Sequence, residues 1–194
     1  MFLQQFRPAL VLTLGFTFLT GLAYPLAITG FAGLASPEAS EGSLIISGNE
    51  VIGSRLIAQP FSGAGYLHPR PSASGWNAAG TSASNLGPTS AKLIADVAQR
   101  RAAYETENGQ PAPIDAVTGS ASGLDPDISP ENALAQAERI AKARGVEAGA
   151  VLDLIETHVE SPLLGLYGLP RINVLETNLA LDATFPLPTQ SPGN

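Results

Sequence analysis

Between Arg7 and Glu38 the chain runs for thirty consecutive positions without a charged side chain, PALVLTLGFTFLTGLAYPLAITGFAGLASP. Crossing a hydrocarbon core of roughly 30 Å takes about 20 helical residues. The stretch is therefore long enough to span a bilayer with tilt. Pro25 removes one backbone donor inside it, which a membrane helix tolerates where neighbouring helices or Ser/Thr groups compensate. Gly15, Gly21, Gly30 and Gly33 leave room for close helix packing, although no strict GxxxG repeat is present. The apolar core of a cleaved signal peptide is typically about 7–15 residues, and this run is about twice that. AGLAS near Ala35 has the look of a cleavage site, but the length favours a retained anchor.

Charge sets the expected orientation. Arg7 is the only charge before the apolar run, whereas Glu38 and Glu41 follow it. The positive-inside rule then places residues 1–7 in the cytoplasm and the chain from about Ser36 outside. From Ser36 on there are 9 Lys+Arg against 17 Asp+Glu, a formal charge of −8. Nucleic-acid binding needs a basic stripe to neutralise phosphates, and that class is excluded. Cysteine is absent, so there is neither a disulfide framework nor thiolate chemistry. An exported domain without disulfides fits a bacterial periplasm or cell surface, held by its core alone. The expected organisation is a cytoplasmic N-terminus over 1–7, a transmembrane helix over 8–35, an extracytoplasmic domain over 36–185 and a frayed tail over 186–194.

Beyond the anchor, two β-prone runs at 43–46 and 51–58 flank Ser47-Gly48-Asn49-Glu50, which is hairpin chemistry. The stretch YLHPRPSASGWNAAGTSASNLGPT (66–89) has no helical or alternating period. A helix is expected from about Ser84 to Glu107, with Leu93, Ile94 and Val97 as its apolar face, Asp96 and Arg100 as an i,i+4 pair and Gly109 as its stop. Residues 114–117 read as extended. Ser129-Pro130 forms an N-cap followed by the favoured first-turn proline, opening a helix that Gly145 ends. A further helix is expected from Glu147 to about Glu160, and residues 172–181 read as a central strand. Short strands among three helices in about 150 residues indicate a small α/β or α+β domain behind one membrane helix.

Most catalytic signatures fail. Lys92 in TSAKL lacks the preceding glycines of a phosphate loop, and GSASG has alanine where a nucleophile elbow needs serine. His68 and His158 have no HExxH or nearby carboxylate–histidine pattern, so a metal site is not expected. Asp125 and Asp127 could form an acid pair, but Asp127 just before Ser129 reads better as a carboxylate at a helix N-terminus. Arg70 between two prolines is stiffly held, fit for an ion pair or an anion contact. Ser122, Asp125 and His158 are the residues a hydrolase reading would use; nothing in the sequence brings them together. From the residues alone the chain is an anchored exported domain with two rigid polar loops and no visible catalytic machinery.

Five blocks in order, GSRLIAQPF, YLHPRPSASG, SNLGPTS, VTGSASGLDPDISPENALAQAERIAKARG and LGLYGLPRINVLETNLALD, resemble the KdpC family, the C subunit of the bacterial Kdp potassium-transporting P-type ATPase. Gly119 stands where that family usually has alanine. The resemblance implies a non-catalytic accessory subunit of a high-affinity, ATP-driven potassium uptake complex in the cell membrane. Its partners would be a potassium-channel-like subunit and a P-type ATPase subunit, with lipid around the helix. It also implies a stabilising role in assembly and a proposed role as catalytic chaperone raising ATP affinity of the ATPase subunit. ATP and the transported potassium then belong to the complex, and no cofactor is assigned to this chain. Gln59, Arg70, Ser72 and Asn85 become the candidate partner contacts, because each is polar and sits in a Pro/Gly-rich family-pattern loop. The alternative reading is a tethered or secreted extracytoplasmic module that binds a small ligand.

Overall fold

The computed structural model describes residues 2–188 and divides into two units, one ending at Ile52 and one beginning at Gly53. The first holds a continuous apolar helix: α1 (Phe2–Phe18), a π-helical turn at Leu19–Ala23, and α2 (Tyr24–Ala35). Residues Gln4–Ala35, 32 in all, have the length and composition of a membrane crossing. The π turn explains how Pro25 is accommodated. A proline cannot donate to the carbonyl four residues back and its ring crowds that carbonyl. The wider turn, in which Tyr24 N–H reaches Leu19 O, inserts one residue ahead of it and relieves that crowding. Ser36 leaves the helix, α3 (Pro37–Ser40) follows, and β1 (Leu44–Ser47) pairs with β2 (Glu50–Ser54) as the expected hairpin, turning at Gly48 with φ 63°.

The second unit is mostly helical: α4 (Ala91–Asn108), α5 (Ile114–Val117), α6 (Pro130–Ala135), α7 (Ala137–Arg144), α8 (Ala148–Thr157) and α9 (Val174–Thr184). Its only sheet among the described residues is a two-residue antiparallel ladder, β3 (Asp127–Ile128) with β4 (Ile172–Asn173), registering Asp127 on Asn173 and Ile128 on Ile172. Ile128, Ala137, Ile140, Val151, Ile155, Ile172, Val174 and Leu181 fill one buried cluster with Leu67. The molecule is therefore the small mixed domain expected behind one long apolar helix, weighted toward helix.

Several local expectations are overturned. The strand expected over 172–181 is two residues of β4 and then helix α9, because Asn173 caps it: its Oδ1 accepts from Glu176 N at 3.1 Å. The apolar residues Val174, Leu175 and Leu181 then fall on one buried helical face with Asn178. The extended run expected at 114–117 is the single helical turn α5. Helix α4 starts at Ala91 rather than near Ser84, since Ser90 is its cap and the residue before Pro88 is pushed away from helical backbone. The expected Asp96–Arg100 pair is replaced by Lys92–Asp96 at 2.8 Å, while Arg100 donates to Val117 O at 3.1 Å. The helix after Ser129 is split at Gln136 into α6 and α7; Gly145 ends it in left-handed backbone as expected. Residues 186–188 carry no regular element, and the rest of the expected tail, 189–194, lies outside the described residues.

Candidate functional site

The long polar stretch at 66–89 is held at its start and again over 70–82. At its start, two buried amides read the backbone as a neighbouring strand would. Asn178 on α9 accepts from Leu67 N at 2.7 Å and donates to Leu67 O at 3.0 Å. Gln136, at the α6–α7 break, accepts from His68 N at 2.8 Å and donates to His68 O at 3.3 Å. A buried backbone segment outside a sheet must find such partners. Around these amides Arg144 is fully enclosed: its guanidinium donates to Gly65 O, Leu181 O and Phe185 O, pairs with Asp182 at 2.9 Å and lies 5.0 Å over the Tyr66 ring. Arg139 donates to Asn108, Ala64 O and Gln136.

Further along, the stretch is laced to the loop at 118–126. Ser120 N donates to Pro71 O at 2.9 Å and Ser82 N to Ser122 O at 3.0 Å. Ser72 Oγ donates to Gly123 O at 2.7 Å and accepts from Trp76 N at 3.0 Å. Gly123 has φ 72°, and a Cβ there would come within 2.5 Å of Ser74 Oγ and 2.7 Å of Ser82 O. Only glycine fits this crossing. Arg70 Nη1 meets Asp125 Oδ2 at 2.8 Å, while its Nε is buried without a partner. The pair stands where two open recesses meet, one lined by Asp115, Asp127, Leu169 and Arg171, the other by Leu56, Ile57, Ser120 and Ser122.

Of the four candidate contacts, Arg70 and Ser72 come together at this loop crossing. Gln59 lies half-buried with its side chain packed over Gly53. Asn85 is exposed in left-handed backbone, φ 52°, its amide bonded to Ala83 O at 3.3 Å. Ser122, Asp125 and His158 are each engaged locally, with Leu124 N, Arg70 and Leu154 O respectively. No hydrogen bond among the described residues joins the three into a relay.

Sequence reasoning misassigned one carboxylate. Asp127 does not serve the α6 N-terminus; it meets Arg171 at 3.1 Å and Asn173 Nδ2 at 3.2 Å. The acid at that helix start is Asp115, which accepts from Ser129 N at 2.8 Å, Ser129 Oγ at 2.9 Å and Asn132 Nδ2 at 3.1 Å. Nothing local in sequence marks Asp115 for this, because its partners come from a later segment. Burial pushes the Asp127 carboxyl up, against the pull of Arg171. Burial and then Arg139 push His68 down, opposed by Gly63 O and Glu107. Burial also pushes the Tyr104 phenol up; Tyr104 and His68 share a pocket of about 180 Å³ with Arg100, Glu107, Asn132 and Gln136. No cluster able to hold a metal ion occurs among the described residues.

A family model described as KdpC, the c chain of K+-transporting ATPase, matches residues 6–183. A protein of Cereibacter sphaeroides named potassium-transporting ATPase KdpC subunit is 64% identical over 181 residues, covering 93% of this chain and 98% of its own length. Proteins of the same name from Rhodopseudomonas palustris and Methylobacterium nodulans are 50% and 51% identical, each over 93% of this chain and 98% and 97% of their own.

Proposed function

This chain belongs to the KdpC family, the c chain of potassium-transporting ATPases and not their catalytic subunit, and from that premise we propose how it works. The apolar helix spans the bacterial inner membrane with residues 1–7 in the cytoplasm, and the domain beyond it stands outside the cell membrane. There it stabilises the assembly of a potassium-channel-like subunit with a P-type ATPase subunit. It raises the ATP affinity of that ATPase through the assembled membrane subunits. Direct nucleotide contact by the outer domain is not part of this reading, since cytoplasmic ATP would have only the short N-terminus within reach.

The observation that carries the proposal is the lacing of the two polar loops. Ser72, Ser120, Ser122, Gly123, Arg70 and Asp125 are bonded to one another rather than aimed at a substrate. Such an arrangement makes a stiff surface, and stiff surfaces lose little entropy on docking.

The test is affinity purification of the full chain from membranes of potassium-starved cells. Two large multi-span partners should come with it in fixed ratio; recovery of the chain alone sinks the proposal. In the purified complex, removing this chain should raise the KM for ATP several-fold. An unchanged KM would remove the ATP-affinity role and leave the assembly role standing.

A further inference from the structure

Residues 161–171 form a small hairpin tied at its base and open at its tip. Glu160 and Arg171 exchange both backbone hydrogen bonds, at 2.8 and 3.1 Å. Arg171 also meets Glu160 Oε2 at 2.7 Å and Asp127 Oδ2 at 3.1 Å. Leu163 and Tyr167 bridge above them, and the chain turns through Leu164 at φ 55° and Gly165 at φ 71°. A leucine held in left-handed backbone costs about 1–2 kcal/mol. The two backbone bridges below it offset that cost and define the shape of the turn.

Leu163, Leu164, Leu166, Tyr167 and Leu169 stand on this tip, each at least 71% exposed. Single exposed leucines are ordinary. Five large apolar side chains within seven residues present on the order of several hundred Å² of apolar surface, the scale that marks an interaction site. The two backbone bridges and the two ion pairs at the base set them apart from the core.

We infer that this tip is a docking knob that seats in an uncharged, apolar recess on a multi-span partner subunit of the potassium-transporting ATPase. The inference rests on the subunit reading above and names a contact for it. Charge argues for a protein occupant over lipid. Residues 161–170 carry no charge, and the cations nearest the hairpin are paired: Arg171 with Asp127 and Glu160, Arg55 with Glu160 and Glu176, Arg70 with Asp125. From Gly53 on, the chain has 9 Lys+Arg against 14 Asp+Glu, which disfavours an anionic lipid surface. Through Leu169 the knob adjoins the recess holding Arg70, Asp125 and Arg171. An apolar centre beside a polar margin is the anatomy of a protein–protein interface. The tip alone falls short of the ~800 Å² per partner of a standard interface, so it needs companion contacts. A partner already gathered by the membrane helix supplies them at high effective concentration.

The chain lacks cysteine, so Tyr167→Cys introduces a single thiol. In membranes, a membrane-impermeant maleimide should label that thiol at least ten-fold more slowly in the assembled complex than in the full chain expressed without its partners. Glu138→Cys, at an exposed position on α7, should label alike in both. Equal labelling at 167 in both states overturns the inference. Protection already present without partners points to lipid, and cross-linked pairs of this chain point to a second copy; either result also overturns it. Leu166→Glu, at a solvent-exposed position, should lower recovery of the large subunits at least five-fold with the urea midpoint of the full chain unchanged. Undiminished recovery overturns the inference. If the unsubstituted chain recovers no large partner, the subunit reading falls and the knob with it. Normal recovery with an unprotected thiol sinks the knob alone.

Discussion

Asn178 on α9 and Leu67 at the head of the long polar loop exchange two hydrogen bonds, amide to backbone, at 2.7 and 3.0 Å. Both residues are buried. Asn178→Leu keeps the size and strands the Leu67 N–H and C=O without partners, at about 1–3 kcal/mol each. The urea midpoint of the full chain in detergent should fall accordingly, read by fluorescence of Trp76, the only tryptophan. An unchanged midpoint would mean that water replaces the amide.

Two glycines four residues apart should behave in opposite ways. Gly123→Ala forces a Cβ into Ser74 and Ser82 at φ 72°, and overpacking together with backbone strain should cost at least ~2 kcal/mol. Gly119→Ala meets nothing nearer than Pro71 O at 3.6 Å and should be tolerated. Limited proteolysis distinguishes them: cleavage within 71–89 should accelerate for the first substitution only.

Arg144 combines three carbonyls, a carboxylate and an aromatic face in one enclosed fork. Arg144→Met leaves Asp182, 42% exposed, to water but strands three carbonyl acceptors, at about 1–3 kcal/mol each. Arg144→Lys should recover only part of this, since an ammonium cannot match the planar geometry. Lys92→Ala, which removes the exposed Lys92–Asp96 pair, should stay within ~0.5 kcal/mol. Equilibrium unfolding of the three variants gives the order.

His68 should make the fold weaker in acid. Its folded value lies below the ordinary 6.5, chiefly through burial and Arg139, so below that value the unfolded chain binds the proton more readily. Stability is fully present above 6.5 and falls as pH drops through the folded value. His68→Gln should therefore lose less stability than the parent between pH 7.5 and 5.5. Asp127 has the opposite sign, because its folded value lies above the ordinary 3.8. Its contribution is full below 3.8 and disappears as pH rises through the folded value. Unfolding midpoints across pH separate the two windows; an equal acid loss in His68→Gln would rule the histidine out.

The membrane helix, the hairpin at 44–54 and the Ser129 and Gly145 caps were legible because each depends on local chemistry. Arg70 stood out as stiffly held between two prolines and Ser72 came in only with the family resemblance; their setting against Asp125 and Gly123 follows from a long-range lacing that no spacing encodes. Asp115 was missed for the same reason. The 172–181 error is different in kind: its apolar content suggested a strand, yet Asn173 with Glu176 three residues on is a helix-start pattern, and capping won. Composition also gave no warning about 163–169, since leucines in a loop look the same whether they turn inward or out.

The π turn at Leu19–Ala23 has a consequence for whatever lies beside the helix in the bilayer. One inserted residue advances the helix by about 100° of rotation, since an α-helix makes a turn every 3.6 residues. The helix is accordingly two rods out of phase, and a straight neighbour cannot follow one stripe of side chains from Phe2 to Ala35. It can grip the half before the bulge or the half after it. Deleting one residue within 19–23 would bring the rods into phase, at the cost of driving the Pro25 ring into the turn behind it.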